Sequence, residues 1–303
     1  MVTVLLRGGL GNQMFQYATG LSLAKKNRTA LRLDTTFLQQ RLPRRNRTYR
    51  DYDLDIFTLS DMTRLTSLSR AAQKVPIPGL WLGADFMGML TRRLIGLEKA
   101  IRPKSDAFDP AILEKRGNLL LFDYWLSEKY FADVEDDLRK AFQFKHSLEG
   151  ETKEIAQRIE SSHSISLHVR RGDYVALKDV ENFMGKTNLS YYERAVCYMN
   201  EHIKRKGNDI PTVFVFSDDI DWCKQNLTLS LPTIYLERSS AGPKASHHLQ
   251  LMSLCRNNII ANSTFSWWGA WLNQNPEKIV VAPKRWFAHK VNEDVVPQRW
   301  ITM

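Results

Sequence analysis

The fold is decided by the stretch Ser164-Ile165-Ser166-Leu167-His168-Val169-Arg170-Arg171-Gly172-Asp173-Tyr174. Its first six residues alternate polar with apolar side chains, which is the period of a strand with one buried face. We therefore expect His168 and Arg170 to point to the same side. Gly172 permits a tight turn, so Arg171 and Asp173 should lie on a loop beyond the carboxyl end of the strand, where open α/β sheets bind ligands.

The two adjacent arginines, Arg170 and Arg171, indicate what that ligand is. A guanidinium group is planar, remains charged at any working pH and donates two parallel hydrogen bonds to phosphate. A diphosphate is therefore the expected partner of one of them. The alternative is an ordinary surface pair between an arginine and an aspartate at a turn.

Length and composition indicate a globular protein of one large domain or two of ordinary size, and we favour two. The chain has 303 residues, and 43% of them are hydrophobic, which is enough for two sizeable cores. No window approaches the roughly 18 uninterrupted apolar residues of a transmembrane helix, and the first residues are too short for a signal peptide. The expected location is the cytoplasm. The three cysteines have no C-x-x-C spacing, so they predict neither a disulfide framework nor a zinc site.

The net charge of +10 favours an anionic partner such as nucleic acid, anionic lipid or a phosphorylated small molecule. The densest basic run, residues 41–50, contains Pro43 and Asn46 and should form a loop. Such a loop is ordinarily a solvated surface, and peripheral contact with an anionic membrane is the alternative. Basic residues do not alternate with exposed aromatic residues on one element, which argues against nucleic acid.

The amino terminus reads as a strand at residues 2–6, a glycine loop at residues 8–11 and a helix at residues 12–26. Met14 stands where the third glycine of a dinucleotide fingerprint would be. Gly9 and Gly11 predict close approach of the backbone to a ligand, with an ordinary tight turn as the alternative. Asn12 and Gln13 begin the helix, where amides and side-chain donors are expected to face an anion.

Short apolar strands alternate with helices from about residue 148 onward, as they do in a doubly wound parallel sheet. Two further strands precede them. The predicted strands are residues 31–34, 119–122, 165–169, 213–216, 233–236, 259–261 and 279–282. The expected domains are residues 1–147 and residues 148–303.

Two carboxylates, Asp218 and Asp219, follow the strand at residues 213–216 and should also lie at the ligand edge. They lack the spaced D-x-D pattern of a metal site. We therefore favour capping of the helix that begins near Ile220 over metal binding. A hydrogen bond from Asp218 to a ligand hydroxyl or base edge is an additional expectation.

A second cluster of polar residues lies at the turn from the strand at 259–261 into an aromatic helix. Ser263, Thr264 and Ser266 combine hydroxyl groups with the free amides of a helix start, which is suited to binding phosphate. The alternative is plain capping by Ser263 or Thr264. In that case the tryptophans of the helix form core, namely Trp267, Trp268 and Trp271.

Four stretches together resemble glycosyltransferase family 11, the α-1,2-fucosyltransferases, in a bacterial form. They are residues 8–18, 124–131, 168–174 and 259–272. The resemblance implies an α/β fold of the GT-B type with two Rossmann-like domains, an acceptor-side domain at residues 1–147 and a domain with the GDP-fucose donor site at residues 148–303. It also implies GDP-fucose as donor, no cofactor, no metal, and inversion at the anomeric carbon. The implied acceptor is the 2-hydroxyl of a galactose-terminated oligosaccharide or lipid-linked glycan, in O-antigen or capsule synthesis at the inner face of the membrane.

The same resemblance implies roles for individual residues. Arg170 would hold the β-phosphate of the donor, and His168 would lie beside the nucleotide. The hydroxyl groups that line the phosphate site from the other side would be those of Ser263, Thr264 and Ser266. The chain departs from the family pattern at Leu126, where glutamine is common, and at His248, where an aspartate reads guanine.

His248 carries its own expectation. A histidine cannot reproduce the two acceptors of a carboxylate, so donor affinity should vary with pH between about 5.5 and 7.5 if the ring lies near the base. The alternative is a surface histidine in a loop.

The implied reaction builds negative charge on the diphosphate, which Arg170 and helix-start amides would stabilise. Asp173 is the carboxylate nearest the motif and the candidate catalytic base, with Asp179 and Glu181 as substitutes. Two alternatives stay open. One is a protein that binds an anion or glycan without turnover, and the other is a related transferase that uses a different nucleotide sugar.

Overall fold

The computed structural model describes residues 1–39, 50–66, 99–103, 105, 107–171, 187–205, 207, 209–288 and 294–303. These residues form two compact units, Met1–Gln143 and Phe144–Met303. The boundary expected from the sequence, after residue 147, lies just beyond this division. Each unit is built on its own parallel sheet.

The first unit contains, within the described residues, a five-stranded sheet in which every pairing is parallel. Its strands are β1 (Val2–Leu5), β2 (Leu31–Asp34), β3 (Thr63–Thr66), β4 (Lys99–Ile101) and β5 (Leu119–Leu121). Their order across the sheet is β3-β2-β1-β5-β4. The chain runs outward from β1 to β3 on one side, whereas β5 pairs with β1 on the other. The topological switch point of this sheet therefore lies between β1 and β5.

Helix α1 (Leu10–Lys26) packs against this sheet and begins two residues earlier than the sequence suggested. A Cβ at Gly20 would lie only 2.5 Å from the side chain of Val4, so the absent side chain lets the helix approach β1 closely. The unit also contains α2 (Thr36–Gln39), α3 (Glu135–Ala141) and 3-10 turns at Leu54–Ile56, Pro110–Ile112, Glu128–Tyr130 and Ala132–Val134.

The described residues of the second unit form a six-stranded parallel sheet. Its strands are β6 (Ser164–Val169), β7 (Thr212–Ser217), β8 (Thr233–Tyr235), β9 (Asn257–Ile259), β10 (Val280–Ala282) and β11 (Ile301–Thr302). Their order is β11-β10-β9-β6-β7-β8. The order reverses between β6 and β9, so this sheet has its switch point where Arg170 and Ser263 follow neighbouring strands.

Helices cover both faces of the second sheet. They are α4 (Gly150–Glu160), α5 (Leu189–Arg205), α6 (Ile220–Asn226), α7 (Ser246–Leu254) and α8 (Thr264–Leu272), with 3-10 turns at Arg238–Ala241 and Pro243–Ala245. One apolar cluster packs α5 and α6 on β6 and β7, and a second packs α4 and α7 on the opposite side. In the part of the chain that the structure describes, no helix is both long and apolar enough to span a bilayer.

Strand β6 is buried along its whole length, whereas the alternating sequence predicted one buried face. The cause is its position at the centre of a parallel sheet that is covered on both sides. Its two serine side chains are hydrogen-bonded internally. The hydroxyl of Ser164 accepts the backbone N–H of Arg256 at 3.1 Å, and that of Ser166 accepts Nδ2 of Asn258 at 2.7 Å.

Candidate active site

The register of β6 and β7 brings the two arginines onto the two aspartates. Val169 pairs with Ser217, so the residues that follow face each other at the carboxyl edge. Nη1 of Arg170 lies 2.6 Å from Oδ2 of Asp218, and Nε of Arg171 lies 3.1 Å from Oδ2 of Asp219. Oδ1 of Asp218 also accepts the backbone N–H of Arg171 at 2.9 Å. Asp218 therefore positions both arginines, and its predicted contact with a ligand stays a prediction.

Arg171 is held from two sides. Its guanidinium carbon lies 3.6 Å from the ring centroid of Trp222, a cation–π contact, and its Nε donates to Asp219. Asp219 caps α6, because its side chain accepts the N–H of Trp222 at 3.3 Å. This confirms the capping expected of the Asp218-Asp219 pair. The sequence analysis did not identify Trp222 as a partner of Arg171, although Trp222 lies three residues after the N-cap Asp219, in the first turn of α6.

His168 is a buried neutral ring at the same edge. It is 5% exposed, and its ring centroid lies 5.8 Å from that of Phe265. Burial lowers the pKa of His168 to about 3, and the nearby charge of Arg170 adds to this effect. Nδ1 is buried without a hydrogen-bond partner among the described residues. Leaving a buried nitrogen unpaired is unfavourable, so a ligand atom is a suitable partner for it.

Helix α8 follows β9, the other strand at the switch point, so it begins at the same carboxyl edge of the sheet. Ser263 is the N-cap residue, but its side chain makes no capping hydrogen bond, so plain capping does not account for its hydroxyl. Ser266 is 1% exposed, and its hydroxyl donates to the carbonyl of Ser263 at 3.3 Å, which stabilises the turn. Thr264 is partly exposed. Phosphate contacts by these three hydroxyls stay predictions. The predicted core role of the tryptophans is confirmed, since each is at most 2% exposed, namely Trp267, Trp268 and Trp271.

His248 corrects two expectations. It lies in helix α7 rather than in a loop, and it is 5% exposed rather than on the surface. Its Nε2 is 3.2 Å from the hydroxyl of Ser240, and its ring meets Phe216 edge to face. Burial lowers the pKa of His248 to about 4. Titration between pH 5.5 and 7.5 is therefore the wrong window for this side chain.

The prediction for the glycine loop of the first unit is also corrected by the structure. The helix starts at Leu10 with Gly9 as N-cap, so Gly11 lies inside the helix. The backbone N–H groups of Asn12 and Gln13 both donate to the carbonyl of Gly9 at 3.0 Å. The side chain of Gln13 donates to the carbonyls of Gly8 and Asp51 and accepts the N–H of Asp53. These donors stabilise the loop instead of facing an anion.

Gly8, rather than Gly9 or Gly11, is the glycine that this turn requires. Its φ is +78°, and a Cβ there would lie 2.6 Å from the side-chain amide of Asn12. The alternative interpretation of the glycine loop, an ordinary tight turn, therefore holds at Gly8.

Several expectations fall on residues outside the described ranges. These are the candidate bases Asp173, Asp179 and Glu181, the turn at Gly172, and most of the basic run at residues 41–50. Within the described ranges, no group of three or more histidine, cysteine, aspartate or glutamate side chains is placed to hold a metal ion. The expectation that no metal is needed stays a prediction.

Two Rossmann-like parallel sheets, one with paired arginines and a polar helix start at its switch point, agree with a fold of the GT-B type. The sequence model described as glycosyl transferase family 11 matches residues 107–303. The chain therefore belongs to glycosyltransferase family 11, as the resemblance implied.

Individual relatives agree with this assignment. The O-antigen biosynthesis glycosyltransferase WbnK of Escherichia coli is 32% identical, and the match covers 98% of this chain and 99% of the relative. An α-1,2-colitosyltransferase of Escherichia coli is 30% identical, over 99% and 98% of the two chains. A solved structure of an Arabidopsis thaliana FUT1 mutant in complex with GDP has a TM-score of 0.50 and 12% identity. It covers 92% of this chain and 69% of that one, and it supports the fold alone.

Proposed function

We propose that this protein transfers L-fucose from GDP-fucose, with inversion, to the 2-hydroxyl of a galactoside acceptor. The observation that carries the proposal is Arg170. It follows β6 at the switch point of the second sheet and is anchored by Asp218, and the polar start of α8 follows the neighbouring strand β9 at the same edge. Anion-binding groups therefore converge on one edge from neighbouring strands, which is where α/β sheets bind nucleotides.

The chemistry follows from the charge that the reaction moves. The bond between the sugar anomeric carbon and the diphosphate oxygen breaks, and the electron pair stays on the diphosphate. Arg170 and the first-turn amides of α8 stabilise that negative charge. The acceptor oxygen bonds to the anomeric carbon from the opposite face, which inverts its configuration. Asp173 takes the proton of the acceptor hydroxyl in this proposal.

The acceptor is a galactose-terminated oligosaccharide or lipid-linked glycan of a cell-surface polysaccharide. The relative WbnK supports this setting, because it is an O-antigen biosynthesis enzyme. A site at the inner face of the cytoplasmic membrane agrees with the net charge of +10, which favours contact with anionic lipid.

A second donor is favoured by a specific observation, the 30% identity to an α-1,2-colitosyltransferase. Colitose differs from fucose in lacking the 3-hydroxyl. Discrimination between the two depends on whether the site makes a hydrogen bond to that hydroxyl, since an unmatched buried polar group is what rejects a deoxy analogue.

The test is to incubate the protein with GDP-fucose or GDP-colitose and a panel of galactose-terminated oligosaccharides. We expect a fucosylated product with a 1→2 linkage, measured by mass spectrometry and NMR. A product with GDP-colitose alone would assign the second donor. Tight binding of GDP without any sugar transfer would show a protein that binds its ligand without turnover.

A further inference from the structure

A second polar cluster lies at the switch point of the first sheet, in Met1–Gln143. Arg7 follows β1, and Asp123 and Tyr124 follow β5, the neighbouring strand on which the strand order reverses. The carboxyl edge at such a point is where open α/β sheets leave room for a ligand. The function proposed above places no contact there.

Arg7 is enclosed by aromatic rings. Its guanidinium carbon lies 4.8, 5.1 and 5.4 Å from the ring centroids of Phe37, Phe122 and Tyr124. The side chain is 13% exposed, and its Nε is buried without a hydrogen-bond partner among the described residues. Nη1 lies 3.8 Å from Oδ1 of Asp123. A nearly desolvated cation therefore faces a carboxylate that lies closer to solvent.

Asp123 adopts a backbone conformation that favours glycine. Its φ is +89°, its carbonyl accepts Nε2 of Gln16 at 3.3 Å, and its own Oδ1 accepts the N–H of Tyr124 at 3.1 Å. A residue without a side chain would take this conformation with less strain. The chain instead has a carboxylate here, 37% exposed, and strain of this kind clusters at functional sites.

Tyr124 completes the cluster with an exposed aromatic surface. The residue is 37% exposed, one of few large hydrophobic residues that are exposed in the described part of the chain. An aromatic face beside a carboxylate suits a neutral sugar. The apolar C–H face of a pyranose packs on the ring, and its hydroxyls donate to the carboxylate. An anion such as a nucleotide is disfavoured, because the group that reaches solvent is itself negative.

We propose that Arg7, Asp123 and Tyr124 form the subsite that recognises the terminal pyranose of the acceptor. Tyr124 packs on the sugar face, Asp123 accepts hydrogen bonds from its hydroxyls, and Arg7 positions the carboxylate. The identification of this sugar with the acceptor rests on the proposed function. The binding of a neutral sugar at this edge does not.

The decisive variant is Asp123→Gly, matched to Arg28→Gly. Arg28 is an exposed residue of the same unit with a φ of +49°, so both changes place glycine where φ is positive. Arg28→Gly should melt at or above the temperature of the parent, because it relieves strain. In Asp123→Gly the same gain is opposed by loss of the carboxylate that faces Arg7 and accepts the N–H of Tyr124, so this variant should melt below Arg28→Gly. Only Asp123→Gly should weaken binding of a galactose-terminated disaccharide, by about 10- to 100-fold for loss of a charged hydrogen-bond acceptor.

The binding is measured by calorimetric titration of the disaccharide into protein saturated with GDP, and the affinity for GDP is measured separately. GDP affinity should be unchanged in both variants. Asp123→Asn tolerates the same backbone conformation and keeps one acceptor, so it should show a smaller loss than glycine.

The outcomes separate the two proposals. Parent-like disaccharide binding by Asp123→Gly overturns the subsite, whatever the transferase assays show. A parent protein that binds no neutral saccharide overturns it as well. A parent protein that binds the disaccharide but transfers no fucose contradicts the proposed function, while loss of binding in Asp123→Gly still supports the subsite.

Discussion

Replacing Arg170 with lysine should nearly abolish sugar transfer although the positive charge is kept. The guanidinium of Arg170 already donates through Nη1 to Asp218 at 2.6 Å. With five N–H donors in a planar fork, an arginine can hold a carboxylate and a phosphate together. A lysine ammonium is a single point of charge. In contact with Asp218 it cannot make the two-pronged contact that we propose for Arg170 with the departing diphosphate.

The size of the effect follows from the two roles of the side chain. Removing one preorganised donor to a developing oxyanion costs about 3 to 4 kcal/mol in the transition state, which lowers kcat roughly 100- to 1000-fold. The effect on folding is smaller. Arg170 and Asp218 are each about a quarter exposed, and such a partly screened ion pair stabilises the fold by about 1 kcal/mol at most. Activity should therefore fall far more than stability.

The assay compares Arg170→Lys with the matched variant Arg171→Lys in single-turnover transfer from GDP-fucose, with thermal melting of each protein. Arg171 is engaged by Asp219 and by the ring of Trp222, so its replacement should lower stability more than it lowers kcat. Near-normal turnover by Arg170→Lys, in a protein that melts like the parent, would refute the phosphate role. Equal losses of kcat in the two variants would also count against it.

Three further predictions address the metal, the buried histidine and the helix–sheet contact. Transfer should survive EDTA, whereas a loss restored by manganese or magnesium would make Asp218 and Asp219 metal ligands. The pKa of His248 in the fold, about 4, lies below its unfolded value near 6.5, so its neutral form stabilises the fold above pH 6.5 and this contribution is lost as the pH falls towards 4. His248 should contribute up to about 3 kcal/mol to the fall in the free energy of unfolding in urea over that range, and His168, with a pKa of about 3, adds a second contribution of the same sign. A flat profile, or one that is equally steep in His248→Gln, would contradict the assignment. Gly20→Ala should destabilise the protein by about 1 to 3 kcal/mol in urea unfolding, because its Cβ would meet Val4 at 2.5 Å, and an unchanged midpoint would contradict that close packing.

The central strands were predictable from the sequence, whereas of the four edge strands in the described residues only β8 was predicted. β6 and β7 are buried and apolar enough to be recognised, within a residue or so of their ends. β3, β4 and β11 were missed, and each lies at the edge of its sheet and has partly exposed side chains. Leu65 in β3, for instance, is 57% exposed. A strand that buries little surface leaves no periodic apolar pattern to detect.

The burial of β6 shows a different limit of sequence reasoning. Alternation of serine with apolar residues is ordinarily the pattern of a strand with one solvated face. Here the second face is covered, and Asn258 on the neighbouring strand β9 supplies the partner for Ser166. A polar residue in a buried strand thus requires a polar residue on its neighbour. Which strand is the neighbour follows only from the topology of the sheet.

The same reasoning explains why the arrangement at Arg170 had to come from the structure. The sequence indicated that two arginines follow one strand and two aspartates follow another, but not that these strands are adjacent. Once β6 and β7 pair with Val169 opposite Ser217, continuing the register places Arg170 opposite Asp218 and Arg171 opposite Asp219. Both ion pairs observed are those that the register dictates. A shift of one residue would place Arg170 opposite Asp219, the partner of Arg171, and would turn the side chains of β7 to the wrong face of the sheet. The packing of the core that fixes this register therefore also fixes the position of Arg170, the residue that is proposed to hold the donor.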